Sequence, residues 1–336
     1  MTQILCLALL AQDTVLVREY ERKLGSLGPR DVEDHFKLGQ WCLKNGLRDL
    51  AEARFEAVLA ESPDHAGARE GLGYVKEGGG WKETPARQLR KRCLEAVKTG
   101  FKPPSAEELD ALRAKSKLHK KGVEFFAYPE TWVQALCTMQ EQTGLFDGSL
   151  DLRLSFGELG PDKIGEGSGV AGKGQVKIDL EKVVTYYKQV DDLEKKKRQG
   201  FIVEMPPMPL AALACHELTH VFQDHKGDPW VVEGMACYAT GSPYYYWWFK
   251  HLKGRVRAID KTPTDKFEHY GRGMAFFAWV ESKGGREKAR EFIRLLVKEK
   301  AEPAQAVEKV LGQPWDEAVR QERSWSDKFI SRQEPK

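Results

Sequence analysis

The stretch ALACHELTHVFQDHK sets two histidines four residues apart, His216 and His220, with Glu217 directly after the first. Imidazole is the commonest protein ligand for zinc-like cations, and a carboxylate beside such an ion can take a proton from a water. On a helix, residues four apart lie one turn apart on the same face, so both imidazoles can converge on one ion. Glu217 falls roughly 100° round the axis, poorly placed as a third ligand but within reach of a water on the metal. The chemistry open to this spacing is metal-assisted hydrolysis.

That chemistry needs a helix beneath the histidines and a second element carrying a third ligand. Residues 209–226 read as the first helix: Pro209 suits an opening turn, Ala and Leu fill the middle, and His225 and Lys226 lie where the helix dipole favours positive charge. Gly227 is a natural stop. A second helix then begins, with Asp228 as cap and Pro229 in first position, and runs through WVVEGMA (230–236). His220 precedes Gly227 by seven residues and Glu233 follows it by six, roughly 10 Å and 9 Å of helical rise. Folded back as an antiparallel pair, the helices bring Glu233 level with His220. Ala212, Ala214, Gly234 and Ala236 are small enough to let the two axes approach. Two histidines, one glutamate and an open position make a catalytic zinc set, because structural sites are closed by four protein ligands.

HELTH (216–220) and WVVEGMA together, with weaker support from HYGRGMAFFAWV (269–280), resemble the gluzincin class of zinc metallopeptidases in its compact, peptidase MA-like form. HELTHVFQD is also locally similar to the active helix of thermolysin. The resemblance covers roughly residues 120–330. It implies one Zn2+ ion bound by His216, His220 and Glu233, with Glu217 as general base acting on a peptide or protein substrate. It also implies that the strand QVKIDL (175–180) lies along the cleft, where an extended peptide can pair with its edge. Relatives often take a further donor for the developing oxyanion from a Tyr or His on a downstream helix. Tyr270 is the candidate here and His269 the second, with packing alone as the equal alternative for Tyr270. One turn after the glutamate, relatives often carry an acid that steadies a zinc-binding histidine. This chain has Cys237 there, which leaves Asp224 as the candidate for that duty. Cys215 and Cys237 fall on facing helices, and a disulfide between them is the less favoured reading.

The glycine-rich GEGSGVAGKG (165–174) spells both GxGxxG and GxxxxGK, yet neither motif survives its context. The residue after Lys173 is Gly174 instead of the Ser or Thr that a phosphate loop uses for magnesium. A strand-like segment follows where both motifs need a helix amino terminus. The segment reads as a flexible joint between two antiparallel strands.

The chain's 336 residues, 41% hydrophobic and 31% charged, suffice for a globular protein of two or three domains. A net charge of +3 is too mild to argue for nucleic acid, and basic runs such as RQLRKRC (87–93) have acids close by. No apolar run approaches the length of a membrane span. Residues 1–12 hold a short apolar stretch like the end of a secretory signal, without a positive leader, so export is only slightly favoured over a cytoplasmic start. The six cysteines form no CxxC pair.

Residues 13–80 read as helical and resemble the tetratricopeptide repeat. Leu38, Gly39, Ala51, Phe55 and Pro63 fall at that pattern's spacings, and Leu72-Gly73 recurs 34 residues after Leu38-Gly39. The second repeat is lost in KEGGGW (76–81), so the small residues are expected to serve helix packing, with a partner docking on these helices as the implied role. Residues 81–120 read as a charged helical linker broken at Lys102-Pro103-Pro104. VEFFAY (123–128), DLRLSF (151–156) and QVKIDL read as strands. The aromatic run in SPYYYWWFKHLKGR (242–255) reads as packing, and LGQPWDEAV (311–319) and SWSDKFI (324–330) as closing helices. The expected architecture is thus α+β: a helical amino-terminal region, then a zincin-like domain over 121–330 with a small antiparallel-type sheet and active-site helices, and a tail over 331–336. The competing reading is a catalytically silent, zinc-containing peptide-binding or scaffold protein that works through its amino-terminal helices.

Overall fold

The computed structural model describes residues 19–28, 30–161, 163–199, 209–223, 227–245 and 266–332. The signal-like segment 1–12, Asp224, His225, Lys226 and most of the aromatic run therefore lie outside the described residues. The protein is α+β and mostly helical, in two compact units, Met1–Arg92 and Cys93–Lys336.

In the first unit, helices α1 (Val32–Lys44), α2 (Arg48–Glu61) and α3 (Ala66–Gly71) enclose Phe55, which is 1% exposed. A Cβ on Gly39 would stand 2.6 Å from the Phe55 ring and one on Gly71 2.5 Å from it. Gly39 of the repeat-like pattern, together with Gly71 outside it, thus makes room for one large ring. KEGGGW is not helical. It forms a hairpin of β1 (Tyr74–Glu77) and β2 (Gly80–Glu83), turned at Gly78 and Gly79, whose positive φ angles of 60° and 83° suit a two-residue hairpin turn.

Helix α4 (Pro85–Gly100) runs across the division. The second unit continues with β3 (Phe101–Lys102), α5 (Ala106–Lys115), α6 (Lys117–Ala127) and α7 (Pro129–Thr143). VEFFAY, expected as a strand, belongs to α6. His119, Gly122, Val123 and Phe126 are the buried residues, and that i, i+3, i+4, i+7 spacing is one face of a helix. The Ser116 hydroxyl caps it by accepting from the N–H of His119.

The sheet comprises β3, β4 (Asp151–Phe156), β5 (Gly165–Val170) and β6 (Lys173–Ile178), in the order β3-β4-β6-β5. It is mixed, not antiparallel: β3 and β4 run parallel, as do β4 and β6, and only β5 opposes β6. Because β5 turns straight back into β6 through Ala171 and Gly172 (φ 51° and 82°), β6 regains the direction of β4 and pairs beside it. Two expectations are corrected here. The glycine-rich segment is not a joint; it is a strand together with its turn. QVKIDL is not at the edge, since β6 is paired on both sides, and β5 takes the edge position instead.

Asp179 ends β6 and caps α8 (Leu180–Arg198). Helices α9 (Leu210–Phe222), α10 (Pro229–Ala239), α11 (Lys266–Val297, kinked at Gly285), α12 (Pro303–Leu311) and α13 (Trp315–Arg332) complete the unit. Helix α9 is buried along almost its whole length, packed on β5 and β6 on one side and on α7 and α10 on the other. It ends at Phe222, short of the 226 expected from sequence. Tyr245 of the aromatic run packs against Tyr238 and Phe329, as expected for a core residue. No described helix is long and apolar enough to cross a membrane.

Candidate metal centre

His216 and His220, each 4% exposed, project from α9 with their rings 4.8 Å apart. Their Nε2 atoms lie 3.1 Å from one another, and each is 3.3 Å from Oε2 of Glu233 on α10. Ligand atoms held about 2.0–2.1 Å from a tetrahedral ion stand roughly 3.3 Å apart. The triangle formed by these three atoms has the size a zinc-like ion requires. Oε2 of Glu233 is buried and makes no well-directed hydrogen bond, although both histidines face it. Three ligand atoms gathered at a common point, one of them a carboxylate oxygen without a hydrogen-bond partner, fit a cation. Burial pushes the Glu233 carboxyl pKa up, but the two imidazoles outweigh it and hold it well below the ordinary range.

Helix α10 is seated by a third element and not only by α9. A Cβ on Gly234 would stand 2.4 Å from Cα of Gly273, and one on Gly273 2.0 Å from the Trp230 carbonyl oxygen. Gly234, expected to open the α9–α10 contact, therefore serves a backbone crossing between α10 and α11. Ala212, Ala214 and Ala236 are fully buried in the same region. This crossing lies one residue from Glu233 and three from Tyr270, so it brings the tyrosine to the site. The Tyr270 ring stacks on His216 at 5.7 Å and 19°, and its hydroxyl feels the Glu233 carboxylate. Burial, reinforced by the Glu233 charge, raises that hydroxyl well above its usual range. His269 stands on the same helix with a buried Nδ1 that has no partner.

Glu217 is buried and points at the edge strand, where its Oε2 accepts from the N–H of Gly167 at 2.7 Å. Burial pushes its pKa up to about 7, against the lowering effects of His220 and of the Gly167 N–H. The glycines of β5 permit this approach. A Cβ at Gly167 would stand 2.0 Å from the Glu217 carbonyl oxygen, and one at Gly165 2.8 Å from Glu217 Cγ.

The chain matches no protein-family model, no curated protein and no solved structure.

The outer nitrogens of the two histidines meet uncharged partners. Sγ of Cys237 lies 3.6 Å from Nδ1 of His216. The Gln223 carboxamide nitrogen lies 2.7 Å from Nδ1 of His220 and 3.0 Å from the Val232 carbonyl oxygen. Cys215 and Cys237 are free thiols, so the disulfide between them does not form. Cys215 turns away to the carbonyl oxygens of Ala135 and Ala239, while Cys237 faces His216. Asp224, the candidate for steadying a histidine, lies outside the described residues.

The structure thus gathers His216, His220, Glu233, Glu217 and Tyr270 in one place. Sequence reasoning missed Gly167 and Gln223. For Gly167 a signal existed: glycine at alternate positions 165, 167 and 169 marks a strand face that another backbone approaches closely. For Gln223 none did, because an amide at the end of a helix has no spacing rule that points to a metal.

Proposed function

We propose that the protein is a zinc-dependent peptidase of the gluzincin kind, with a zincin-like second unit and one Zn2+ held by His216, His220 and Glu233. The observation that carries this reading is the convergence of those three donors at tetrahedral spacing beside a buried glutamate that is no part of the triangle. A purely structural site has no use for that glutamate. His216, His220 and Glu233 would hold the ion, which when bound would supply the Lewis acidity for activating a water and polarising a carbonyl. Glu217 then takes the proton of the attacking water and passes it to the leaving amine. The Tyr270 hydroxyl, beside His216, donates to the oxygen on which charge develops. Strand β5 at the sheet edge offers backbone groups for an extended peptide to pair with, the duty first expected of QVKIDL.

The test is incubation of the purified full chain with a mixed peptide library, read by mass spectrometry, beside Glu217→Ala and a chelated sample. Cleavage by the untreated wild type alone supports the peptidase and gives its subsite preferences. Silence in all three with zinc bound favours the silent, peptide-binding reading.

A further inference from the structure

Gln223 closes α9: its backbone is extended (φ −101°, ψ 140°) and its N–H bonds the Thr219 carbonyl oxygen at 3.2 Å. Ending the helix needs only that backbone bond. The side chain nevertheless folds back into the interior, where the residue is 2% exposed. Its carboxamide stands between two groups that matter to the metal triangle. One is Nδ1 of His220, 2.7 Å away; the other is the carbonyl oxygen of Val232, the residue immediately before Glu233, 3.0 Å away. A single amide thereby connects a histidine of one helix to the backbone that carries the carboxylate of the other. Its Oε1 is buried and has no partner. A buried, unpaired carbonyl oxygen is destabilising, so its place beside the histidine calls for an explanation.

We propose that Gln223 is the positioning residue for His220, fixing the ring plane and supporting whichever ring nitrogen carries the proton. This inference rests on the metal-centre reading. A neutral imidazole has one N–H, and metal binding through Nε2 requires that proton on Nδ1. In the arrangement described, the carboxamide NH2 faces Nδ1 and suits an unprotonated nitrogen. After a half-turn of the amide, Oε1 takes that place and accepts from a protonated one, at the loss of the bond to the Val232 carbonyl oxygen. A carboxamide can therefore serve His220 both without metal and with it, whereas a carboxylate could only accept and an apolar side chain could do neither. Cys237 is a weaker version of the same arrangement at His216, at 3.6 Å.

The experiment measures zinc affinity by chelator competition for the full-length wild type, Gln223→Leu and Gln223→Glu. It also records the visible absorption of the cobalt-substituted proteins and the thermal midpoints of the metal-free ones. Loss of partners to metal-binding histidines typically costs ~10–100-fold in affinity. Gln223→Leu is expected to lose that much and to shift the cobalt bands, while its metal-free midpoint stays close to wild type. Gln223→Glu, which accepts from Nδ1–H, is expected to bind zinc within about threefold of wild type or more tightly. Wild-type affinity and an unshifted cobalt spectrum in Gln223→Leu would overturn the inference. So would tenfold weaker binding by Gln223→Glu, which decides the matter even if the leucine variant does not fold. Absence of zinc binding by the wild type would instead overturn the metal-centre reading itself, and this inference with it.

Discussion

The N–H of Gly167 donates to Oε2 of Glu217 at 2.7 Å, so the carboxylate beside the metal ligands is held by the backbone of the sheet's edge strand. Strand and helix approach closely there, through the Glu217 side chain at Gly165 and through the Glu217 backbone at Gly167. Each of the groups proposed to act has its position set by a contact of this kind, and each contact gives an outcome that can be measured.

Gly167→Ala places a methyl group 2.0 Å from the Glu217 carbonyl oxygen, where only backbone stands in the way. Overpacking against a rigid neighbour costs about 1–3 kcal/mol or more, and the upper end applies here because neither backbone can yield. Gly160→Ala is the control, since nothing lies within 4 Å of a Cβ there. Urea unfolding of both variants should show a large fall for the first and no change for the second.

Metal loading and turnover should separate by residue. His216→Ala, His220→Ala and Glu233→Ala each remove one corner of the triangle and should abolish stoichiometric zinc uptake, measured by metal analysis after dialysis. Glu217→Gln leaves the triangle intact. It should keep one zinc per chain while peptide cleavage falls by ~10²–10⁴, the usual worth of a general base.

Tyr270→Phe keeps the ring stacked on His216 and removes only the hydroxyl. Loss of one oxyanion donor typically lowers kcat by ~10²–10³. The expected result is a fall in kcat of that order, with KM and zinc content near wild type. An unchanged kcat would leave Tyr270 a packing residue and turn attention to His269.

Acid stability should depend on Asp179. Its carboxylate accepts from the N–H groups of Leu159 at 3.1 Å, Glu181 at 3.1 Å and Lys182 at 3.3 Å, with the Lys182 ammonium 3.4 Å away. Burial pushes its pKa up, yet these donors prevail and hold it below the ordinary carboxylate value. A depressed folded-state pKa gives stability that is present above the unfolded value of about 3.9 and lost as pH falls through the folded one. Asp179→Ala should therefore cost about 1–2 kcal/mol at pH 7. The gap from wild type should narrow as unfolding is repeated at successively lower pH below about 4.

The sequence alone determined the parts whose logic is local. The spacing of His216 and His220, and the Asp228-Pro229 start of a second helix carrying Glu233, fix a two-histidine face and a carboxylate at matching height. Those rules act within one or two helical turns, and the three donors do meet. Alternation in DLRLSF likewise gave β4. VEFFAY misled because a short apolar cluster fits a strand and a buried helix equally, and only burial on one helical face separates them.

Tertiary structure decided what depends on backbones far apart in the chain. It set β5 rather than β6 at the edge, because a strand's place is chosen by its partners and not by its own residues. It turned Gly234 towards Gly273, which determines where Tyr270 stands. It brought Gly167 to Glu217 and Gln223 to His220, pairings that no periodicity encodes. Side-chain type and spacing say which groups can bind a metal. Long-range packing decides which backbone N–H, which amide and which hydroxyl stand beside them.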